Sequence, residues 1–210
     1  MKLTQQERYA FTMILLAVFF RGFVNASYQF QDIVAKKALA AADWQVTLLV
    51  MIWPLSNLLS IWWGKFMERS SSIAKYFYIL GFFGRLILIC MFWVNNWWSY
   101  LLVMLIFFGF NSMQSPAQST LYRYGFGLEN RGRLFGIAAS VENAVVVVFA
   151  WLAGYMMDIN EAWFRHIFAL IGILGLLSSL FFAQTKITKP VPTHIKPINF
   201  KEFLTWRSRF

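Results

Sequence analysis

Six long apolar stretches dominate the pattern of hydrophobic and polar positions along this chain. Each holds about 20 residues, the length that an α-helix rising about 1.5 Å per residue needs to cross the hydrocarbon of a bilayer. A water-soluble protein would instead show amphipathic helices or alternating strands with a polar face at the surface. The pattern predicts an all-α membrane protein with spans at about residues 9–31, 44–66, 74–94, 97–122, 134–157 and 164–183.

Charged residues are few and lie almost entirely between these stretches. Apolar residues make up 59% of the chain and charged residues 13%. Fourteen lysines and arginines fall in the two termini and in the second and fourth connections, whereas the other connections hold only Lys36, Lys37 and Arg165. Because basic loops are retained in the cytoplasm, we expect a multi-pass integral protein of a plasma or inner membrane with both termini cytoplasmic.

The formal net charge of +10 follows from this topology and from a basic carboxyl-terminal segment. It therefore calls for no nucleic-acid partner, and the lipid bilayer is the partner that the composition predicts. The basic segment could also rest on anionic headgroups, at about 1 kcal/mol per residue. Cys90 is the single cysteine and falls inside the third stretch, which excludes a disulfide framework and a multi-cysteine metal site.

A short pattern recurs where the second and fifth stretches end. Residues 64–68 and residues 154–158 both read Gly-x-x-Met-acid, 90 residues apart. The predicted topology puts the first copy inside and the second outside. Spans one to three and four to six would then be two units inserted in opposite senses, as in secondary transporters. The sequence thus predicts a six-transmembrane-helix bundle built from two inverted three-helix repeats.

The loop after the second stretch carries a more specific motif. Gly64 is followed by Glu68 and Arg69 at the spacing Gly-x-x-x-acid-Arg, and the later chain contains Gly109, Pro116 and the run Glu129-Asn130-Arg131-Gly132-Arg133. In these motifs and in its span count, the chain over about residues 9–185 resembles the amino-terminal half of a major facilitator superfamily transporter. Ser71 and Ser72 replace the second glycine and the next arginine of the family's loop motif. The resemblance implies half of a twelve-helix fold.

The resemblance also implies that Gly64, Glu68 and Arg69, the latch motif, hold one conformational state of the transporter. Glycine permits a close backbone approach at a helix exit, and the charged pair can bind a neighbouring helix end. The alternative is an ordinary solvated turn. Multidrug antiport is disfavoured, because span four lacks the arginine and span five lacks the Gly-Pro pair that such antiporters usually carry.

Charged side chains inside the predicted spans mark candidate functional positions. Arg21, Arg85 and Glu142 lie in the first, third and fifth spans, and a charge in hydrocarbon costs about 2.5 kcal/mol or more unless it faces a cavity or a partner. Spans one and four line the central cavity in the family. The resemblance therefore implies that the substrate-facing residues are Arg21, Asn25, Asn111 and Gln114.

Each of the three charged residues has alternative roles. Arg21 could hold an anionic group such as a carboxylate or phosphate, or it could form an ion pair with Glu142 that fastens two helices. Arg85 is expected to be a structural partner or to snorkel toward the interface. Glu142 is the single acid inside a predicted span and the candidate proton carrier, and the sequence places it within two turns of the cytoplasmic surface.

Small residues and prolines predict where helices meet and bend. Gly81 and Gly84, and the pair Ala150-x-x-x-Gly154, predict close contacts between helices. Pro54 and Pro116 predict kinks in the second and fourth spans.

The composition changes after residue 185. Residues 1–185 form the predicted bundle, and residues 186–210 form a basic, proline-containing cytoplasmic linker. Residues 200–206 could lie on the membrane surface as a short amphipathic helix. Family members carry such a segment before their seventh span, so the resemblance implies a truncated product or fragment that works with a second six-helix half.

These observations favour transport of a small solute by alternating access, as the amino-terminal half of a secondary transporter. The alternative is an inactive remnant or a non-transporting membrane scaffold. An intramembrane enzyme is disfavoured, because the sequence has no Gly-x-Ser-x-Gly and both histidines, His166 and His194, are isolated. The same isolation predicts no metal site, and nothing in the sequence calls for a cofactor.

Overall fold

The computed structural model describes residues 4–70, 72–185 and 187, and within these the secondary structure is helical without strands. In this part of the chain six helices are long and apolar enough to cross a bilayer, which confirms the six-span all-α fold. They are called spans 1 to 6 and run over Gln5–Gln29, Asp43–Glu68, Ala74–Trp93, Trp97–Gly125, Leu128–Ile159 and Glu161–Ala183.

Span 5 is one continuous α-helix, whereas the other spans break or change helical type. Span 1 joins Gln5–Ala26 to the 3₁₀ turn Ser27–Gln29, span 2 joins Asp43–Leu58 to Ser60–Glu68, and span 4 joins Trp97–Asn111 to Gln114–Gly125. Span 3 passes from α-helix at Ala74–Ile79 to π-helix at Leu80–Arg85 and 3₁₀ helix at Leu86–Trp93. Span 6 has the 3₁₀ turn Glu161–Trp163 before Phe164–Ala183, and the short helix Gln31–Lys37 follows span 1.

The two prolines lie close to the breaks in spans 2 and 4. Pro54 falls inside Asp43–Leu58, shortly before the helix is interrupted at Leu59. Pro116 falls in the first turn of Gln114–Gly125, a position where the missing N–H of proline leaves no helical hydrogen bond unmade.

Polar residues fix the start of span 1 ahead of its apolar stretch. Thr4 Oγ1 accepts a hydrogen bond from the backbone N–H of Glu7 at 3.2 Å, and the Glu7 carboxylate accepts one from the Thr4 N–H at 2.9 Å. This reciprocal arrangement satisfies backbone donors that the first turn of a helix leaves free. The helix therefore begins at Gln5, outside the apolar residues.

The packing between spans has the symmetry expected of two related three-helix units. Span 1 packs mainly against spans 5 and 6, span 4 packs mainly against spans 2 and 3, and spans 3 and 6 pack against each other. Exchanging span 1 with span 4, span 2 with span 5 and span 3 with span 6 leaves this set of contacts unchanged. Such a pattern is typical of repeats related by a pseudo-twofold axis.

A polar layer divides the apolar core into two clusters. One cluster lies toward the connections that follow spans 1, 3 and 5. The other lies on the opposite side, toward the start of span 1, the connections that follow spans 2 and 4, and the end of span 6. Along spans 1, 3 and 5 the boundary between the clusters falls at Arg21, Arg85 and Glu142, all of which are buried. The three charged residues therefore lie at a common depth near the middle of the bundle.

Glycines permit close helix contacts at some of the predicted positions. A Cβ atom on Gly84 would lie 2.7 Å from Phe110 Cβ, and one on Gly81 would lie 2.9 Å from Leu176 Cδ1. The prediction for Gly154 is wrong, because no atom of the described residues lies within 4 Å of a Cβ built there. Within the part of the chain that the structure describes, no helix packs closely against this glycine.

One exposed ion pair joins the first connection to the end of span 5. Lys37 Nζ donates to Asp158 Oδ1 at 2.9 Å. This hydrogen bond and the negative charge of Asp158 raise the pKa of Lys37, so the lysine stays charged over the physiological range. The predicted interfacial helix at 200–206 lies outside the described residues.

Candidate functional site

The polar layer opens into a cavity of about 320 Å³ on one face of the bundle. Pockets for small molecules span about 300–1,000 Å³, so this volume suits a small solute. The lining residues come from spans 1, 2, 4 and 5. They are Arg21, Asn25, Tyr28, Trp53, Asn57, Asn111, Gln114, Ser115, Gln118, Ser119, Phe135 and Glu142.

Arg21 and Glu142 form a buried ion pair in the wall of this cavity. Arg21 Nε donates to Glu142 Oε1 at 2.6 Å, and Arg21 Nη2 donates to Glu142 Oε2. Asn25 Nδ2 donates to the same carboxylate, and Arg21 Nη1 donates to Gln118 Oε1. The bidentate geometry and the additional hydrogen bonds compensate both charges for the loss of water.

Glu142 lies further from the start of its helix than the apolar pattern suggests. Its helix begins at Leu128, so about four turns at 3.6 residues each precede it. The expected two turns are counted from the start of the apolar stretch at residue 134, whereas the helix itself begins six residues earlier. Span 5 extends through the polar run before its apolar part, which hydrophobicity alone does not reveal.

Gly22 brings span 1 against span 5 beside the ion pair. A Cβ atom on Gly22 would lie 2.6 Å from Val145 Cβ and 2.9 Å from the backbone oxygen of Glu142. Real side chains do not tolerate such distances, so only glycine permits this approach. The contact sets the distance across which Arg21 reaches Glu142.

The break in span 4 presents two amide side chains to the cavity. Asn111 is the last residue of Trp97–Asn111, and Gln114 is the first residue of Gln114–Gly125. Asn111 Nδ2 donates to the hydroxyl oxygen of Tyr28, which lies in the 3₁₀ turn of span 1. Spans 1 and 4 thus both depart from α-helix beside the cavity, as the discontinuous helices of transporters do at their binding sites.

Arg85 reaches the polar layer from span 3. Its side chain is buried, with the residue 1% exposed, so the expectation that it could snorkel is wrong. Arg85 Nη2 donates to Gln114 Oε1 at 2.7 Å, and the guanidinium carbon lies 5.5 Å from the centre of the Phe107 ring. Arg85 therefore contacts a residue of the cavity wall without lining the cavity itself.

The five predicted cavity and coupling residues, Arg21, Asn25, Asn111, Gln114 and Glu142, all lie on the cavity wall. Two further polar residues, Gln29 and Asn143, also fall inside the predicted spans. Both are exposed, and neither is among the lining residues.

Sequence reasoning missed several lining residues, most clearly Tyr28 and Gln118. Gln118 follows Gln114 by four positions and therefore shares its helix face, a signal that was available. Tyr28 follows Asn25 by three positions but sits in a 3₁₀ turn, so its direction depends on where the α-helix ends. Trp53, Ser115, Ser119 and Phe135 carry no sequence signal that separates them from lipid-facing residues.

The latch motif lies away from the cavity, at the end of span 2. Gly64 has no atom within 4 Å of a built Cβ among the described residues, and Glu68 and Arg69 are exposed. The loop that follows is held by Tyr76, whose hydroxyl donates to the Phe66 carbonyl oxygen at 2.6 Å. The motif therefore lies at the exposed last turns of span 2, next to a connection that Tyr76 anchors.

A sequence model of the Major Facilitator Superfamily matches residues 10–210 of the chain. No curated protein and no solved structure gives a significant match. The family match includes almost all of the described bundle, and six apolar helices with the contact symmetry of two repeats agree with half of that fold. The chain belongs to the major facilitator superfamily of membrane transporters.

Proposed function

We propose that this chain moves a small solute across the membrane by alternating access, as one half of a secondary transporter. The observation that carries the proposal is the polar layer at mid-depth, which opens into a cavity lined by spans 1, 2, 4 and 5. Transporters of this architecture bind substrate near the midplane and expose it to either side by rocking of the repeats.

The solute would contact the amide and guanidinium groups of the cavity wall. Asn25, Asn111 and Gln114 each carry a hydrogen-bonding amide, and Arg21 supplies the cation next to them. The Asn111 Oδ1 and Gln114 Nε2 atoms have no partner among the described residues. A buried polar atom without a partner is costly, so a solute that supplies the missing partner would gain affinity.

Glu142 is the coupling group in this proposal. Its carboxylate is held by Arg21 and Asn25, and Tyr28, Arg85 and Tyr122 lie within electrostatic reach. Protonation of Glu142 would remove the charge that holds Arg21, leaving the guanidinium available to solute or to a different helix arrangement. A proton would then move with each transport cycle.

A second six-helix half is the partner that the open face requires. Spans 2 and 5 flank the cavity and are the least buried of the six. Both spans also expose large apolar side chains, among them Trp53, which lines the cavity, and Trp151. The missing half, supplied by a longer product, another subunit or a second copy, would cover this face and complete the cavity.

Transport is tested by reconstituting the chain in liposomes and following trapped metabolites by mass spectrometry under a proton or sodium gradient. We expect gradient-driven accumulation of a small solute that Gln114→Ala and Arg21→Lys reduce strongly. Arg165→Lys is the matched control, because Arg165 bonds to Asn95 at the end of span 3, far along the chain from the cavity residues. Absence of flux for every solute and gradient, with the protein folded, would favour the scaffold or remnant.

Coupling is tested separately with Glu142→Gln, which keeps the shape of the side chain but cannot ionise. We expect this variant to exchange solute across the membrane without responding to a proton gradient. Glu129→Gln is the control, since Glu129 is exposed in the first turn of the same helix. A Glu142→Gln variant that still concentrates solute against its gradient would exclude Glu142 as the proton carrier.

A further inference from the structure

The polar layer carries one positive charge in excess. Within the described residues, the buried charged side chains are Arg21, Arg85 and Glu142. Arg21 and Glu142 neutralise each other through their bidentate pair. Arg85 is left without an acid partner, because its hydrogen bond goes to the neutral amide of Gln114.

Two of the three guanidinium nitrogens of Arg85 make no hydrogen bond within the described residues. Nε and Nη1 are both shielded from solvent and without an acceptor, and the Phe107 ring lies against the group. A buried cation with most of its donors unused is strongly disfavoured in a fold, and such residues in a membrane mark functional positions.

The backbone around Arg85 is adapted to hold it inside the bundle. Arg85 ends the π-helical segment Leu80–Arg85, and π-helical turns are rare and often found at functional sites. Span 6 supplies the space: a Cβ on Gly175 would lie 3.0 Å from Arg85 Cδ, and one on Gly172 would lie 2.9 Å from the Arg85 backbone oxygen. An irregular helix and two glycines thus accommodate a buried cation.

Gln114 connects this cation to the cavity. Arginine only donates hydrogen bonds, so the oxygen of the Gln114 amide must face Arg85 and the Nε2 donor must face away. Nε2 has no acceptor within the described residues. Gln114 itself lines the cavity, so it links the buried Arg85 cation to the cavity wall.

We propose that the transported solute is a small organic monoanion of the carboxylate class, and that Arg85 selects its charge through Gln114. This inference rests on the proposed function and names the substrate class of the same cavity. A monoanion neutralises the single excess positive charge of the layer, and a neutral solute leaves that charge uncompensated. A cation would add a second positive charge, which Arg85 repels. Arg21 cannot supply this selectivity while Glu142 holds it.

The test measures binding, so that it does not depend on flux. The purified chain in lipid nanodiscs is titrated with monocarboxylates of increasing size, each paired with its neutral amide (acetate with acetamide, lactate with lactamide, gluconate with gluconamide), while thermal unfolding is followed. We expect at least one acid to stabilise the protein saturably, with an apparent Kd about tenfold or more below that of its amide. Arg85→Lys should keep this preference, and Arg85→Met should abolish it.

Arg85→Met is expected to fold, because it replaces an uncompensated buried charge by an apolar side chain of similar length. Arg165→Met is the control for loss of an arginine outside the cavity and should keep the preference. The proposal is overturned if no acid is preferred over its amide, or if Arg85→Met retains the preference. Failure of transport with intact acid preference would instead count against the proposed function alone.

Discussion

Arg21 on span 1 and Glu142 on span 5 are joined by two hydrogen bonds inside the polar layer, although 121 residues separate them in the chain. The pair joins the two predicted repeats, because span 1 belongs to the first and span 5 to the second. The same two side chains line the cavity. The two roles weighed for Arg21, cavity residue and helix clamp, are therefore compatible in one geometry.

Breaking this pair from one side should destabilise the fold more than removing both charges. Arg21→Met or Glu142→Met leaves one buried charge without its partner, which costs about 3–5 kcal/mol, whereas the double variant should lose much less. Unfolding in detergent with increasing denaturant gives the four free energies of the cycle. Additive losses in the double variant would show that the two side chains do not interact.

Lys37→Ala and Asp158→Ala provide the control for that cycle. Their ion pair also joins a cation to a carboxylate but is exposed to solvent, where screening and side-chain entropy offset most of the attraction. Neither substitution should change the unfolding midpoint measurably.

Gly22→Ala should destabilise the contact between spans 1 and 5. The added methyl group overlaps Val145 and the backbone of Glu142, and such overpacking typically costs about 1–3 kcal/mol. Gly154→Ala in span 5 is the matched control, since it meets no atom within 4 Å in the described structure and gains up to about 1 kcal/mol of helix propensity. Thermal unfolding of both variants is measured in the same detergent, and the midpoint of Gly22→Ala should be the lower. Equal midpoints would contradict the close approach at Gly22.

The latch motif should affect transport without affecting stability. Arg69 is exposed at the end of span 2, and exposed substitutions usually change stability by less than about 0.5 kcal/mol. We expect Arg69→Ala to lower flux several-fold while the unfolding midpoint is unchanged. Lys75→Ala removes the same charge from the start of span 3, across the same connection, and should transport normally. Normal flux in Arg69→Ala would favour an ordinary solvated turn.

The orientation in the membrane can be read from two single cysteines in a Cys90→Ala background. Glu129 lies at the start of span 5 and Glu161 follows its end, and both are exposed. The basic-residue distribution predicts that a membrane-impermeant maleimide added to intact cells labels Glu161→Cys and leaves Glu129→Cys unreacted. The opposite pattern would place both termini outside.

The spans could be predicted from sequence because a continuous apolar run of this length has few alternatives to a membrane helix. The ends of the spans could not be predicted in this way, since hydrogen bonds rather than hydrophobicity determine where a helix begins and ends. Thr4 and Glu7 start span 1 ahead of its apolar stretch, and span 5 begins at Leu128 within a polar run. For the same reason Glu142 lies further from the start of its helix than the apolar pattern suggests.

The cavity residues on spans 1 and 4 could be predicted because the resemblance assigns those spans to the centre. The inward direction of the Arg85 side chain could not be predicted, since the space for it comes from Gly172 and Gly175 on span 6. The small-residue pattern at Gly154 failed for a related reason. Such a pattern permits a close contact, but only a neighbouring helix at that face makes one.

The central claim is that the polar layer faces a water-filled cavity, and accessibility of Ser115 tests it most directly. Ser115 lines the cavity, whereas Ile173 on span 6 lies beside Gly172 at similar depth and is half exposed on the outside of the bundle. Ser115→Cys and Ile173→Cys, each in the Cys90→Ala background, are treated with an impermeant maleimide in right-side-out and inside-out vesicles. We predict that Ser115→Cys reacts in at least one orientation, because thiol alkylation requires water to form the thiolate, and that Ile173→Cys reacts in neither. A Ser115→Cys variant that stays unreacted from both sides would contradict the account.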